Sequence, residues 1–182
     1  SHSRGVVNLK DRTNAGNPLT FKKNPQKYTP LPAWGRPMRI RVEERLKELS
    51  DAASNFPLNR IEWNDRKLGI IAPGIAYSYV KEIFPEASIL KLAWSYPFPD
   101  RLIREFADGV EELIVIEELE NFLEDHIKAM GIACEGKKYV PICSELTPKI
   151  IMDVKNKLEG KNILPIQKVT QSEDLPSRPP IL

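Results

Sequence analysis

The chain has only two cysteines, Cys134 and Cys143, and two histidines, His2 and His126, in 182 residues. The cysteines match neither a CxxC nor a zinc spacing, so they define no disulfide framework and no metal-binding knuckle. Both read as plain buried thiols of a reducing, cytoplasmic protein. So few histidines leave a metal site little to draw on, and nothing places a serine nucleophile beside either one. Glycine is also sparse, with nine residues and no GxGxxG or phosphate-loop pattern among them. No apolar run approaches the roughly 18 residues that cross a bilayer, and the opening residues do not read as a secretory leader. A net charge of +2 supplies no clustered basic face for nucleic acid.

What is present is ordinary for a globular domain: 41% hydrophobic and 29% charged residues. The length suits about one domain with appendages. The chain starts at Ser1-His2-Ser3 without a methionine, which reads as a fragment or a trimmed chain, with Ser-His equally readable as a tag remnant. Residues 1–35 hold Pro18, Pro25, Pro30 and Pro32 among lysines and polar residues. Proline at this density removes donors and opposes helix, so an extended strap is expected. Its Leu19, Phe21, Tyr28, Leu31 and Trp34 suggest that the strap lies against a neighbour. Residues 36–66 read as an amphipathic helix and a connector. The helix starts at Pro37, and Met38, Val42, Leu46, Leu49 and Ala53 form its stripe. Ile61-Glu62-Trp63 is a short strand candidate.

Residues 67–168 repeat one unit: a β-rich apolar run, a Pro or Gly, then an amphipathic helical stretch. The runs are Leu68–Ala72, Ile89–Trp94, Leu113–Ile116 and Tyr139–Cys143. Strands alternating with helices require crossover connections. The expected fold is therefore a three-layer α/β/α domain with a mainly parallel, Rossmann-like sheet. Such sheets bind ligands at the carboxyl ends of their strands, which directs attention to the turns there. After the repeat, Ile163–Ile166 reads as an edge strand or extended arm, and residues 169–182 as a linker.

Five residues at those strand ends stand out. Gly74 follows Pro73 between a strand and a helix, where backbone amides can hold a phosphate, but one glycine reads as a plain βα turn. Glu117 and Glu118 follow a buried strand, and one carboxylate there suits the positive end of the next helix. Adjacent residues on extended chain point to opposite faces, so the pair does not form a joint acid and base. Tyr96-Pro97 closes the second strand, with the ring expected over the proline turn. His126 falls on the polar side of its helix, with Glu124 and Asp125. No complete active site is legible.

The ordered phrases "LGIIAPGIAYSYVKE", "ILKLAWSYPFPDRLIREFADGVEELIVIEELENFLEDHIKAMGI" and "SELTPKII" resemble the α subunit of indolepyruvate ferredoxin oxidoreductase. The resemblance runs from "SHSRGVV" to "RPPIL". It implies a transketolase-C-terminal-like domain of an enzyme that oxidatively decarboxylates aryl pyruvates to acyl-CoA and reduces ferredoxin. The whole enzyme would use thiamine diphosphate, Mg2+ and 4Fe-4S clusters. This stretch carries no cofactor-binding or catalytic residue of that family, so no cofactor is expected in it. The implied partners are the remaining domains of the α subunit, the β subunit, ferredoxin and CoA for the complex, and a second copy in a homodimer, with no nucleic acid and no membrane. Gly74, Tyr96, Pro97, Glu117 and Glu118 are then expected at contacts with neighbouring domains. Two rival readings are the same domain from a pyruvate, branched-chain or 2-oxoglutarate oxidoreductase, and a free-standing Rossmann-like binding module.

Overall fold

A computed structural model describes Leu9 and residues 20–160. The expectations for Leu19, His2, the arm at Ile163–Ile166 and the linker at 169–182 lie outside the described residues. Helix α1 (Pro25–Tyr28) is a single turn, capped by Asn24, whose Oδ1 accepts the Lys27 amide. Helix α2 (Pro32–Ser54) follows. It begins five residues before the Pro37 start read from the sequence, because Pro32 already fits the first helical position. Pro37 lies inside the helix and removes one ladder hydrogen bond without ending it. Only the carboxyl-terminal end of α2 is buried, through Ala53 and Ser54. There Ser50 Oγ donates to the Phe98 carbonyl at 2.5 Å.

The sheet comprises β1 (Arg60–Glu62), β2 (Asp65–Pro73), β3 (Ala87–Leu92) and β4 (Glu112–Val115) in the order β1-β3-β2-β4. β2 runs parallel to both β3 and β4, and only β1 is antiparallel. The mainly parallel α/β expectation therefore holds. Helices α3 (Gly74–Ile83), α4 (Asp100–Ala107), α5 (Phe122–Ala129) and α6 (Pro148–Leu158) complete the chain order. Alternation along each strand sorts the core into two layers. Ile70, Ala72, Ile89 and Ile114 meet Val80 of α3 and Ile151 of α6. Ile71, Leu90, Leu113 and Val115 meet Phe106 of α4 and Ile127 of α5. Both faces of β2 and β3 are thus covered, as a parallel sheet requires.

One expected strand is absent. Tyr139–Cys143 forms turns and bends, although Val140 is buried. Pro141 cannot donate to a ladder, which disfavours a strand at that point. The edge of β4 is met earlier instead: the Val115 amide donates to Glu135 O at 2.8 Å, and the Glu135 amide to Leu113 O at 3.1 Å. Helix α6 matches its sequence signals. Thr147 Oγ1 accepts the Ile150 amide at 3.3 Å, and Gly160 adopts φ +66 just past the helix end.

Candidate functional site

The carboxyl ends of β2, β3 and β4 release the chain at Gly74, at Ala93–Pro99 and at Ile116–Asn121. Asn59 fixes the second of these connections. Its Oδ1 accepts the Ala93 and Trp94 amides at 2.8 Å each, and its Nδ2 donates to Ala53 O and Trp94 O at 2.9 Å each. The side chain is only 6% exposed, so one buried amide group pins the end of α2 to the end of β3. The Trp94 indole then donates to Tyr96 O at 2.7 Å, and its ring meets Phe56 edge-on.

Beyond this clamp the chain builds an aromatic cluster. Phe98 lies 4.9 Å from Phe122 and 5.7 Å from Tyr96, centroid to centroid, and stacks on the His126 imidazole at 3.7 Å. Nε2 of His126 lies 2.7 Å from Asp100 Oδ1. The histidine is therefore held between a ring and a carboxylate, rather than standing free on a polar helix face as the sequence suggested. Tyr96 and Phe122, 6.1 Å apart, turn outward and are 57% and 55% exposed. The nearby Leu119 has φ +55 and is 60% exposed. Leu119 and Phe122 fall at helical spacing with Leu123 and Ile127, which predicts one packed helical stripe. The helix starts only at Phe122, so Leu119 falls in the preceding loop, and both leave the core.

The acidic pair divides its work. Glu117, 5% exposed, accepts the Leu123 and Glu124 amides of α5 at 2.8 and 3.0 Å. It therefore caps the first turn of α5 from five residues upstream, where the helix dipole favours a carboxylate. Burial nevertheless pushes its carboxyl above the ordinary range, against the lowering effect of those two amides and of Lys137. Glu118 reaches away and accepts the Leu146 amide at 2.9 Å, tying the chain ahead of α6 to the end of β4. The two carboxylates bind separate backbone groups and do not face one substrate.

A third carboxylate, missed in the sequence, completes the arrangement. Glu124 is 4% exposed and accepts from Lys128 Nζ at 2.7 Å and from the Lys137 amide at 2.8 Å. Burial would raise its carboxyl, but these two donors hold it below the usual range. A Cβ at Gly136 would collide with Glu124 Oε2, so this close approach needs glycine. The legible signals were Lys128 four residues on and an isolated glycine in the following loop.

Gly74 opens α3 with φ +53, is exposed, and has open space where a side chain would project. Three residues on, Tyr77 Oη donates to Glu62 Oε1 at 2.7 Å and accepts from Arg60 at 3.0 Å, while Lys81 also pairs with Glu62. Burial would raise the Glu62 carboxyl, but hydrogen bonds from Lys81, Tyr77 and Arg60 hold it down to about 2. This network fastens β1 to α3.

Among the described residues no group of three or more His, Cys, Asp or Glu could hold a metal ion. An iron–sulfur cluster takes four thiolates, and the sequence has two cysteines. Burial pushes the Cys134 thiol up to about 11, while Cys143 is exposed.

No protein-family model matches the chain. Among curated proteins, the indolepyruvate oxidoreductase subunit IorA of Methanothermobacter marburgensis is 34% identical over 196 residues, covering all of this chain and 31% of the relative. The IorA subunits of Pyrococcus horikoshii and Thermococcus kodakarensis are each 33% identical, covering all of this chain and 32% of their own length. The chain is similar to IorA subunits along its whole length. It spans about a third of the length of the curated relatives it matches. Among solved structures, a 2-oxoglutarate:ferredoxin oxidoreductase from Magnetococcus marinus, with 2-oxoglutarate, coenzyme A and succinyl-CoA bound, is similar at a TM-score of 0.45. It is 18% identical and matches 71% of this chain and 23% of its own. The likeness to IorA rests on the sequence relatives, and the architecture on the strand order and the two packed layers described above. Among the described residues no helix is long and apolar enough to cross a membrane.

Proposed function

We propose that this stretch of an IorA-type subunit is a non-catalytic domain whose carboxyl-end crest docks against the remainder of the same subunit. The observation that carries the reading is the exposure of Tyr96, Leu119 and Phe122 together at the strand ends, where an α/β sheet otherwise receives a ligand. Clustered exposed apolar side chains mark contact surfaces. Two thirds of the relatives' length lies outside this chain, which supplies the occupant. The inward carboxylates support the same reading: Glu117 and Glu118 already serve backbone amides, so they shape the face and leave its contacts to Gly74, Tyr96 and Pro97.

The complete protein, on this proposal, is a cytoplasmic indolepyruvate ferredoxin oxidoreductase. It oxidatively decarboxylates aryl pyruvates to acyl-CoA and passes electrons to ferredoxin, together with a β subunit. Thiamine diphosphate, Mg2+ and 4Fe-4S clusters are assigned on this proposal to its other domains. The α/β unit of residues 67–168 holds those domains in register, and residues 169–182 lead on to the next one. Placement matters because reacting groups must be held to fractions of an ångström. The test is to incubate the purified 182-residue chain with indolepyruvate, CoA and a viologen dye. No dye reduction is expected. Measurable turnover by the pure chain overturns the proposal.

A further inference from the structure

Helix α1 and the amino-terminal part of α2 enclose a cavity of about 510 Å³. From α2 come Met38, Arg41, Val42 and Arg45, whose spacing of three, four and seven residues puts them on one helix face. From α1 come Lys27 and Tyr28. The Tyr28 ring, 65% exposed, makes an apolar wall with Met38 and Val42. None of the residues lining the cavity carries a carboxylate. Among the described residues, Lys27, Arg41 and Arg45 form no ion pair, and Lys27 Nζ stands 5.2 Å from the Tyr28 ring centroid. Arg39, away from the cavity, does pair with Glu43. Residues 20–42 hold six lysines and arginines and no aspartate or glutamate. The contrast is with a trough of about 470 Å³ at the amino ends of the strands, where Lys67 and Lys155 stand among five carboxylates over an apolar floor.

We propose that this cavity binds a small organic anion bearing two or more negative oxygens, of phosphate or carboxylate, on a body with an apolar face. Arg41 and Arg45 are four residues apart, a like-charged spacing that works against a helix until an anion lies between the two. Each guanidinium presents a planar fork that donates to two oxygens at once, the geometry of a phosphate or carboxylate. Lys27 adds a compact positive charge from the α1 side. A single negative charge would leave part of this set unanswered, so the complement is a polyanion. Tyr28, Met38 and Val42 give the body of the ligand an apolar surface to lie on, and the volume falls within the range of small-molecule pockets. Because α1 already lies over this face of α2, a further helix has no room along it. The cavity shares no residue with the carboxyl-end crest, so it is a second site and does not depend on the docking role of the first.

The test is to titrate the whole 182-residue chain with inorganic pyrophosphate and, separately, with phthalate. Binding is followed by the NMR shifts of the Tyr28 ring and of the Arg41 and Arg45 Nε–H groups. At low ionic strength at least one probe is expected to bind with a Kd below about 1 mM and to move all three sets of signals. The tighter probe identifies the anionic group as phosphate or carboxylate. Arg41→Ala with Arg45→Ala, both exposed positions, should weaken binding at least about tenfold, and added salt should weaken it in the unaltered chain. Lys138→Ala with Lys149→Ala removes the same charge from exposed positions elsewhere and should leave the affinity unchanged. Three results overturn the proposal: a Kd above about 1 mM for both probes, shifts that spare Tyr28 and the two arginines, or an equal loss in the two double variants. The last result would mean attraction to net charge alone.

Discussion

The two ends of the sheet are built in opposite ways. At the carboxyl ends the loops are tied down from within: Asn59 holds the β3 exit, Glu117 caps α5, and Glu118 reaches to Leu146. The surface they create is apolar and turned outward. At the amino ends the strands open on a trough whose floor is apolar and whose rim is acidic. An α/β fold ordinarily uses its carboxyl ends for ligands. Here Asn59, Glu117 and Glu118 spend their polar atoms on backbone groups, and His126 pairs with Asp100. The trough lies at the end where the fold alone would not direct a search.

The largest effect expected from breaking this contrast is at Asn59. Asn59→Ala strips partners from two amides and two carbonyls at once, and should lower unfolding free energy by about 3 kcal/mol in a urea titration. A loss below about 0.5 kcal/mol would mean that the β3 exit is held by something else. Glu117→Gln comes next, at about 2 kcal/mol, because an amide offers one acceptor oxygen to two helix amides. Its thermal midpoint should fall accordingly.

The flank of the sheet serves as a control that belongs to neither end. Glu62→Gln should cost about 1 kcal/mol at neutral pH, given the partial exposure of its ion pairs. The folded carboxyl is held down to about 2, from an ordinary value of 4.5. Its contribution is therefore complete above 4.5 and disappears as pH falls toward 2. Denaturant titrations of both proteins should converge across that window. A gap that persists at pH 2 contradicts the assignment. At the crest, Tyr96→Ser with Phe122→Ser removes the ring contacts to Phe98 and should cost the isolated chain about 1 kcal/mol.

Much of this fold can be read from hydrophobic periodicity, because both faces of β2 and β3 are buried and their runs are nearly continuous. The rest escapes for physical reasons. Tyr139–Cys143 has the composition of a strand, yet Val140 satisfies its apolar preference from a turn. Leu119 and Phe122 fall at helical spacing, but the loop before α5 takes a left-handed turn at Leu119 and rotates both off the core. The role of Glu117 as a cap was legible from its place after a buried strand. The role of Asn59 was not, since a lone asparagine in a connector carries no periodic signal, and its four partners lie as many as 35 residues away. The burial of Glu124 likewise depends on Gly136, which meets it only through the tertiary fold.

The central claim is that the carboxyl-end crest is a docking face within a larger subunit. Amide hydrogen exchange compares it directly in the isolated 182-residue chain and in the complete IorA-type subunit that contains it. The account predicts that Tyr96 and residues 117–123 exchange at least about tenfold more slowly in the complete subunit, and that Tyr96→Ser with Phe122→Ser removes the difference. Identical exchange in the two proteins would contradict it.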